Sequence, residues 1–180
     1  GGLRVLADPP RDIDVRVRVA RGLWPVRGDL TQVHQVLLNL CVNARDAMAE
    51  GGRLTLSASN VMLDDQYAGM NIDARPGAHV CVMVEDTGTG MPPAVVERIF
   101  EPFFTTKELG KGTGLGLSTT LAIIKSHRGF VRVHSEPERG TRFHLYFPAH
   151  TEAADRGAPP TLTDLPRGSG QLVLLIDDEA

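Results

Sequence analysis

The chain has 180 residues, enough for one substantial core with tails. Its formal net charge of −3 provides no basic field for nucleic acid. No apolar run approaches the roughly 20 residues that span a bilayer, and the first residues carry no signal-peptide pattern. The segment is therefore expected to be monomeric and to contact neither nucleic acid nor membrane. Cys41 and Cys81 fall inside apolar segments and read as buried free thiols, which suits the reducing cytoplasm.

Taken in order, residues 1–10 read as loop. Asp14 to Ala20 alternates Val15, Val17 and Val19 with Arg16 and Arg18, the period of a half-buried strand. Gly22 to Gly28 is a turn region, and Asp29 is an N-cap with Gln32 at capping-box spacing. The helix it opens is predicted over Leu30 to Met48, with Val33, Leu37, Leu40, Ala44 and Ala47 as its apolar stripe and Gly51-Gly52 as its stop. Arg53 to Leu63 and Ala78 to Glu85 read as strands, and the polar stretch from Asp64 to Gly77 as an excursion between them. A short helix is predicted over Ala94 to Ile99. A longer one follows the glycines near 110–116 and ends near His127, with Leu117, Leu121 and Ile124 at helical spacing. Gly129 to Ser135 and Thr141 to Phe147 form a hairpin. This string predicts an α+β fold with a helical layer on one face of a mixed sheet. Residues 149–170 have linker composition. The apolar run at 171–176, followed by Asp177-Asp178-Glu179, reads as the first strand of a second, truncated domain.

Three stretches carry chemistry. Gln35, Asn39, Asn43 and Asp46 share one face of the long helix. Amides and a carboxylate in a line suit a hard cation such as Mg²⁺; a solvated helix face is the alternative, though Lys and Glu are its usual residues. Asp86, at the end of a strand and followed by Gly88 and Gly90, sits where a carboxylate can accept from the amino group of adenine. A plain strand-to-loop turn is the alternative. Phe100, Phe103 and Phe104 are three of the six Phe residues, and they precede Lys107 and the run Gly110-Lys111-Gly112-Thr113-Gly114-Leu115-Gly116-Leu117. They read as ordinary core or as the anchor of a lid whose lysines reach phosphate. The glycines open a helix, where unpaired N–H groups favour an anion. The run is neither a Walker motif, since Gly112 follows Lys111, nor a Rossmann fingerprint, since position 115 is Leu.

In this order the motifs resemble the four boxes of the GHKL ATPase superfamily, and within it the catalytic ATP-binding domain of bacterial sensor histidine kinases. The asparagine box is Asn39 to Ala47, the first glycine box Asp86 to Gly90, the phenylalanine box Phe100 to Phe104, and the second glycine box Gly112 to Leu117. Asn43-Ala44-Arg45-Asp46-Ala47-Met48 and Glu101-Pro102-Phe103-Phe104-Thr105-Thr106-Lys107 look most like the nitrogen-regulator and hybrid kinase branch, and the tail from Val173 to Glu179 is similar to the start of a receiver domain.

The resemblance implies a two-layer α/β sandwich (the Bergerat fold) over residues 1–148, a linker over 149–170 and a receiver start over 171–180. It implies ATP and Mg²⁺ as cofactors. Asn43 would be the metal ligand, Asn39 would lie near the γ-phosphate, and Asp46 would face the same site. Asp86 would bind the adenine amino group. Gly88 and Gly90 would shape the adenine pocket, with Met91 and Thr141 lining it and Phe100 at its edge. Thr105, Thr106, Lys107 and the residues from Gly110 to Leu117 would form the lid and phosphate cradle, with the lid from about Thr105 to Thr113 anchored only by Leu109. Catalysis would fall to Asn39 and Lys107. The implied activity is transfer of the γ-phosphoryl group to a His on a dimerisation domain, with the receiver as a further partner. A nucleotide-sensing module that switches kinase and phosphatase states is the competing function.

Two positions depart from the pattern. Asn39 stands where ATP-hydrolysing relatives often have Glu, so slow hydrolysis is expected, because an amide cannot accept the proton of water. Asp46 stands where many histidine kinases have Lys or Arg. The acceptor His of the family lies in an upstream helical hairpin, and His34, His79, His127, His134, His144 and His150 have no such setting.

Overall fold

The computed structural model describes residues 13–107 and 112–150. Five strands form one mixed sheet in the order β1-β2-β3-β5-β4. The strands are β1 (Ile13–Val19), β2 (Gly52–Leu63), β3 (Gly77–Asp86), β4 (Phe130–Glu136) and β5 (Gly140–Pro148). β1 runs parallel to β2, and every other neighbouring pair is antiparallel. The helices are α1 (Leu30–Ala47), α2 (Asp65–Met70), α3 (Pro93–Val96) and α4 (Gly116–Ser126). No helix among the described residues is long and apolar enough to cross a membrane.

α1 and α4 cover one face. Register puts Leu54, Leu56 and Ala58 of β2 opposite Asp86, Val84 and Val82 of β3, with Phe143, Leu145 and Phe147 of β5 beyond, all on that face. α1 supplies Val33, Val36, Leu40, Cys41 and Ala44 to this core, and α4 supplies Ile124. Burying each large aliphatic side chain here contributes roughly 1.5–3 kcal/mol. The stripe of α1 differs from the predicted one: Val36, Cys41 and Met48 are buried while Leu37 and Ala47 are only half-buried. The helix meets the sheet with its contact line rotated toward the 36/40/44 row. On α4 Ile124 is fully buried as expected, but the other fully buried residue is Thr120, and Leu121 is half-buried.

The start of α1 is tied to the end of α4. Asp29 caps α1, its Oδ1 accepting from the N–H groups of Thr31 (2.8 Å) and Gln32 (3.1 Å); such a cap contributes about 1 kcal/mol. The Asp29 N–H donates to His127 Nε2 at 3.0 Å, and His127 Nδ1 lies 2.7 Å from the Ile123 carbonyl. The ring therefore carries its proton on Nδ1 and clamps the two helices that bear the asparagine and second glycine boxes.

Three elements differ from the sequence expectation. The excursion contains α2, capped by Asp64 Oδ1 accepting from Tyr67 N–H. It covers one end of the opposite face of the sheet, where Tyr67 and Ala74 close a second small core on Val61, Leu63, Phe130 and Tyr146. α3 is one turn, because Pro92 and Pro93 start it and the chain then bends through the turn at 97–103. Val15, Val17 and Val19 pair with Leu54, Leu56 and Ala58 but remain 39%, 40% and 38% exposed. Their alternation selects the correct face, yet at the edge of the sheet no helix reaches over them.

Candidate functional site

A cleft of about 720 Å³ opens between α1, the ends of β3 and β5, and the segments at 104–107 and 112–117. α1 presents Asn39, Asn43 and Asp46 to it, as their shared face requires. Asn39 is not free. Its Nδ2 donates to the Gly116 carbonyl (3.0 Å) and lies 3.5 Å from Thr120 Oγ1, and its Oδ1 accepts from Gln35 Nε2 (2.9 Å). It braces α1 against the first turn of α4. Asn43 and Asp46 instead share a cation. Lys107 Nζ lies 2.6 Å from Asp46 Oδ2 and 3.4 Å from Asn43 Oδ1. Arg45 Nη2 holds the other Asp46 oxygen at 3.0 Å. Partial burial works against ionisation of Asp46, but the bonds from Lys107 and Arg45 outweigh it and hold the carboxyl below its ordinary value.

At the other end sits Asp86, almost fully buried. Its Oδ1 accepts from the N–H groups of Gly88 (2.9 Å) and Thr141 (3.2 Å). Among the described residues Oδ2 has no hydrogen-bond partner, and Asp86 lines the cleft. Burial pushes this carboxyl above its ordinary value, against the pull of the two N–H groups. A buried carboxylate with one oxygen held and one open to a cleft is poised to accept from a ligand donor.

The glycine boxes build the walls by close backbone approach. At Gly90, with φ +63°, a Cβ would lie 1.9 Å from the Glu136 carbonyl oxygen, so only Gly lets the first box meet the β4–β5 turn. The box is also fastened to α1 through the Thr89 N–H, which donates to the Ala47 carbonyl at 3.1 Å. At Gly114, with φ +66°, a Cβ would lie 2.4 Å from the backbone carbon of Phe103. Phe103 itself has φ +67°, is 74% exposed, and donates its N–H to the Gly114 carbonyl at 3.0 Å. The phenylalanine box and the second glycine box thus lock together at the mouth. α4 then starts at Gly116 with no side-chain cap, leaving first-turn N–H groups for an anion.

Of the residues singled out in the sequence, Asn39, Asn43, Asp46, Asp86, Gly90, Met91, Thr105, Thr106, Lys107, Gly112, Thr113, Gly114, Gly116, Leu117 and Thr141 all line the cleft. Gly88 stands behind it, positioning Asp86 through its N–H. Phe100 does not reach it and packs on the core. Leu115 is the residue before α4 and is exposed. Gly110, Lys111 and Leu109 lie outside the described residues, as do the linker at 151–170 and the receiver-like strand at 171–180. The sequence did not single out Val42, Val95, Ile99 or Phe143, which together with Ala47 and Phe104 give the cleft its apolar wall. Their only signal is apolar type, shared with every core residue.

The profile described as histidine kinase-, DNA gyrase B-, and HSP90-like ATPase matches residues 28–151. The chain is 45% identical over 179 residues to the sensor kinase CckA of Brucella abortus (strain 2308), covering 94% of this chain and 19% of the relative. It is 42% identical over 123 residues to sporulation kinase A of Bacillus subtilis (strain 168), covering 68% of this chain and 18% of the relative. The chain thus spans under a fifth of these relatives. Among solved structures, the nucleotide-free catalytic domain of histidine kinase ThkA superposes with TM-score 0.59 at 32% identity, over 76% of this chain and 79% of that one. Full-length ShkA in complex with AMPPNP superposes with TM-score 0.59 at 31% identity, over 76% of this chain and 26% of that one. The chain belongs to the histidine kinase-, DNA gyrase B- and HSP90-like ATPase family, and its fold is the ATP-binding catalytic domain of a bacterial sensor histidine kinase.

Proposed function

We propose that the cleft binds ATP with Mg²⁺ and that the chain presents the γ-phosphoryl group to a histidine on a dimerisation domain outside it. Asp86 carries this reading. It is a buried carboxylate whose ionised form costs stability and whose Oδ2 meets only the cleft. The amino group of adenine fits that oxygen, and the AMPPNP complex of the ShkA relative supports a nucleotide there. Thr141 and Met91 line the base end. The uncapped start of α4, with Lys107, suits the phosphates.

The donors for a metal fit Mg²⁺. No group of three or more His, Cys, Asp or Glu side chains that could hold a metal occurs among the described residues. Asn43 and Asp46 instead place oxygens side by side where a cation already rests, the Lys107 ammonium. Mg²⁺ is commonly held in this way, by one or two protein oxygens together with substrate phosphates. Asn43 would be the ligand, and the ion would neutralise phosphate charge. Lys107 would stabilise the transferring phosphoryl group. Asn39 holds the cradle in place through Gly116 and is no base for water, so phosphate passes to a positioned nucleophile faster than to solvent. We place the activity in the cytoplasm, with a receiver domain beyond the linker as a further partner.

The test mixes the chain with a separately made helical-hairpin dimerisation domain and γ-labelled ATP. Label is expected on a hairpin His, acid-labile and base-stable. It should be weak, because the tether is lost and the encounter becomes bimolecular. Strong labelling of the chain alone would refute the scheme. ATP binding without any hairpin labelling, at high concentrations of both pieces, would favour a nucleotide-sensing module that switches kinase and phosphatase states.

A further inference from the structure

Gln35 opens the polar line of α1, yet it does not line the cleft that Asn39, Asn43 and Asp46 face. It is exposed, and its Nε2 donates to Asn39 Oδ1 at 2.9 Å. The polarity of that bond is set from the far end. The Gly116 carbonyl can only accept, so the atom of Asn39 that meets it at 3.0 Å is the amide nitrogen. The other end of the amide is then the oxygen, and only a donor can meet it. The same nitrogen lies 3.5 Å from Thr120 Oγ1, on a fully buried residue. Both polar atoms of the Asn39 side chain are thus engaged within the protein.

Asn39 therefore works as a strut from α1 to the first turn of α4. The terminal torsion of an Asn side chain has a broad, roughly two-fold profile, so the amide keeps one plane only where partners hold it. Gly116 holds one end and Gln35 the other. Gly116 and its neighbour Leu117 line the cleft, and α4 has no side-chain cap there. The peptide joining them is planar, so a hold on its carbonyl also fixes its N–H, which points the opposite way, out of the helix start. That N–H is one of those left for an anion. We propose that Gln35 is a positioning residue for the phosphate end of the cleft: by holding the Asn39 carbonyl oxygen it keeps the Asn39 amide on Gly116, and so keeps the first-turn N–H groups of α4 aimed at the bound phosphates. This rests on the reading of the cleft as an ATP site. It asks nothing of Asp86, which sits at the other end.

An amide pair four residues apart also steadies its own helix, and the experiment separates the two uses. It measures affinities for Mg-ATP and for adenosine, by displacement of a fluorescent nucleotide from the full chain. Native protein, Gln35→Met, Asn39→Ala and the double variant are compared, with melting temperatures alongside. Met keeps the length and the helix preference of Gln and removes the donor. The ratio of Mg-ATP to adenosine affinity should fall about two- to tenfold in Gln35→Met, on the scale of one neutral hydrogen bond. In the Asn39→Ala background the same change should leave the ratio where Asn39→Ala puts it. A role in helix stability alone would lower the melting temperature and leave the ratio at its native value, and that result overturns the proposal. A fall of equal size in both backgrounds overturns it too, since Gln35 would then act without Asn39. Should Asn39→Ala fail to fold, backbone amide NMR signals decide. In Gln35→Met those of residues 116–120 should move while those of residues 86–90 stay, and unmoved signals at 116–120 overturn the idea. Native protein that binds no ATP would remove the ATP reading and this inference together. ATP binding with a ratio that survives Gln35→Met removes this inference alone.

Discussion

Lys107 Nζ and Asp46 Oδ2 meet at 2.6 Å across 61 residues of sequence, fastening the segment that follows the phenylalanine box to the asparagine-box helix. Asp46 departs from the basic residue many histidine kinases carry there, and this pair gives it a role. The pair is about one-third exposed, so its worth is that of a surface ion pair, about 0.2–1 kcal/mol. A double-mutant cycle with Asp46→Asn and Lys107→Met should read a coupling of that size in thermal or urea unfolding at low salt. Asp46 titrates below its ordinary value, so the coupling should be complete at neutral pH and fade as pH falls through the folded value. Molar salt should remove most of it. A coupling unchanged in molar salt would mean the two residues interact through packing.

Asp86→Asn should lose ATP affinity while keeping or gaining stability. The side-chain oxygen can still accept from the Gly88 and Thr141 N–H groups, but the amide nitrogen then takes the place of Oδ2 and meets the adenine amino group donor to donor. Loss of a charge-assisted bond is worth roughly 1.5–3 kcal/mol, about 10- to 150-fold in affinity. Stability moves the other way. Burial raises the Asp86 carboxyl, so the unfolded chain ionises it more readily, and its charge costs folding free energy at neutral pH. An uncharged amide removes that cost. Near-native ATP affinity by calorimetry would sink the adenine assignment, and a large fall in melting temperature would show that Asp86 is there for the fold.

Both residues were visible in the sequence, for different reasons and to different depths. Asp86 stands out as an acid at a strand end before spaced glycines; that pattern also suits a plain turn, which its Oδ1 does build, and only folding leaves Oδ2 to the cleft. Asp46 stands out by helical spacing, but its pairing with Lys107 shows only once folding brings the segment at 104–107 across the mouth of the cleft. The same limit hides Ser135 of β4, whose contacts with Met91, Gly140 and Thr141 come from the β4–β5 register and from the residue just after the first glycine box, brought together only by folding. Alternation gave β1 its faces but could not say that no helix covers Val15, Val17 and Val19. α2 was missed because six residues, Gly69 among them, carry too few turns for a period to show.

Asn43→Ala should abolish the gain in ATP affinity that Mg²⁺ gives while leaving the melting temperature nearly unchanged. Asn43 contributes no packing to the core, and Ala is the better helix former by a few tenths of a kcal/mol. Its Oδ1 makes one long contact, with Lys107 at 3.4 Å, which costs little to lose. ATP titrations in Mg²⁺ and in EDTA separate the outcomes. A variant with the native ratio of the two affinities would leave Asn43 without a metal role.

Gly114→Ala and Gly116→Ala should part company although they stand two residues apart in the same box. Gly114 has φ +66°, and a Cβ there would meet the Phe103 backbone at 2.4–2.7 Å. Backbone cannot swing aside as a side-chain tip can, so the substitution must open the Phe103–Gly114 contact and shift the mouth of the cleft. The left-handed conformation adds about 1 kcal/mol or more against any residue with a Cβ. Gly116 is the first residue of α4, and a Cβ there would meet nothing nearer than Asn39 at 3.8 Å. The helix gains from Ala at that point, so Gly116→Ala should melt at or slightly above the native temperature. Gly114→Ala should melt lower and bind ATP at least about tenfold more weakly, since the contact it breaks joins the phenylalanine box to the second glycine box at the mouth of the cleft. Differential scanning fluorimetry with and without Mg-ATP reads both effects. Equal melting temperatures for the two variants would show that the contact between Phe103 and Gly114 does not hold the cleft in shape.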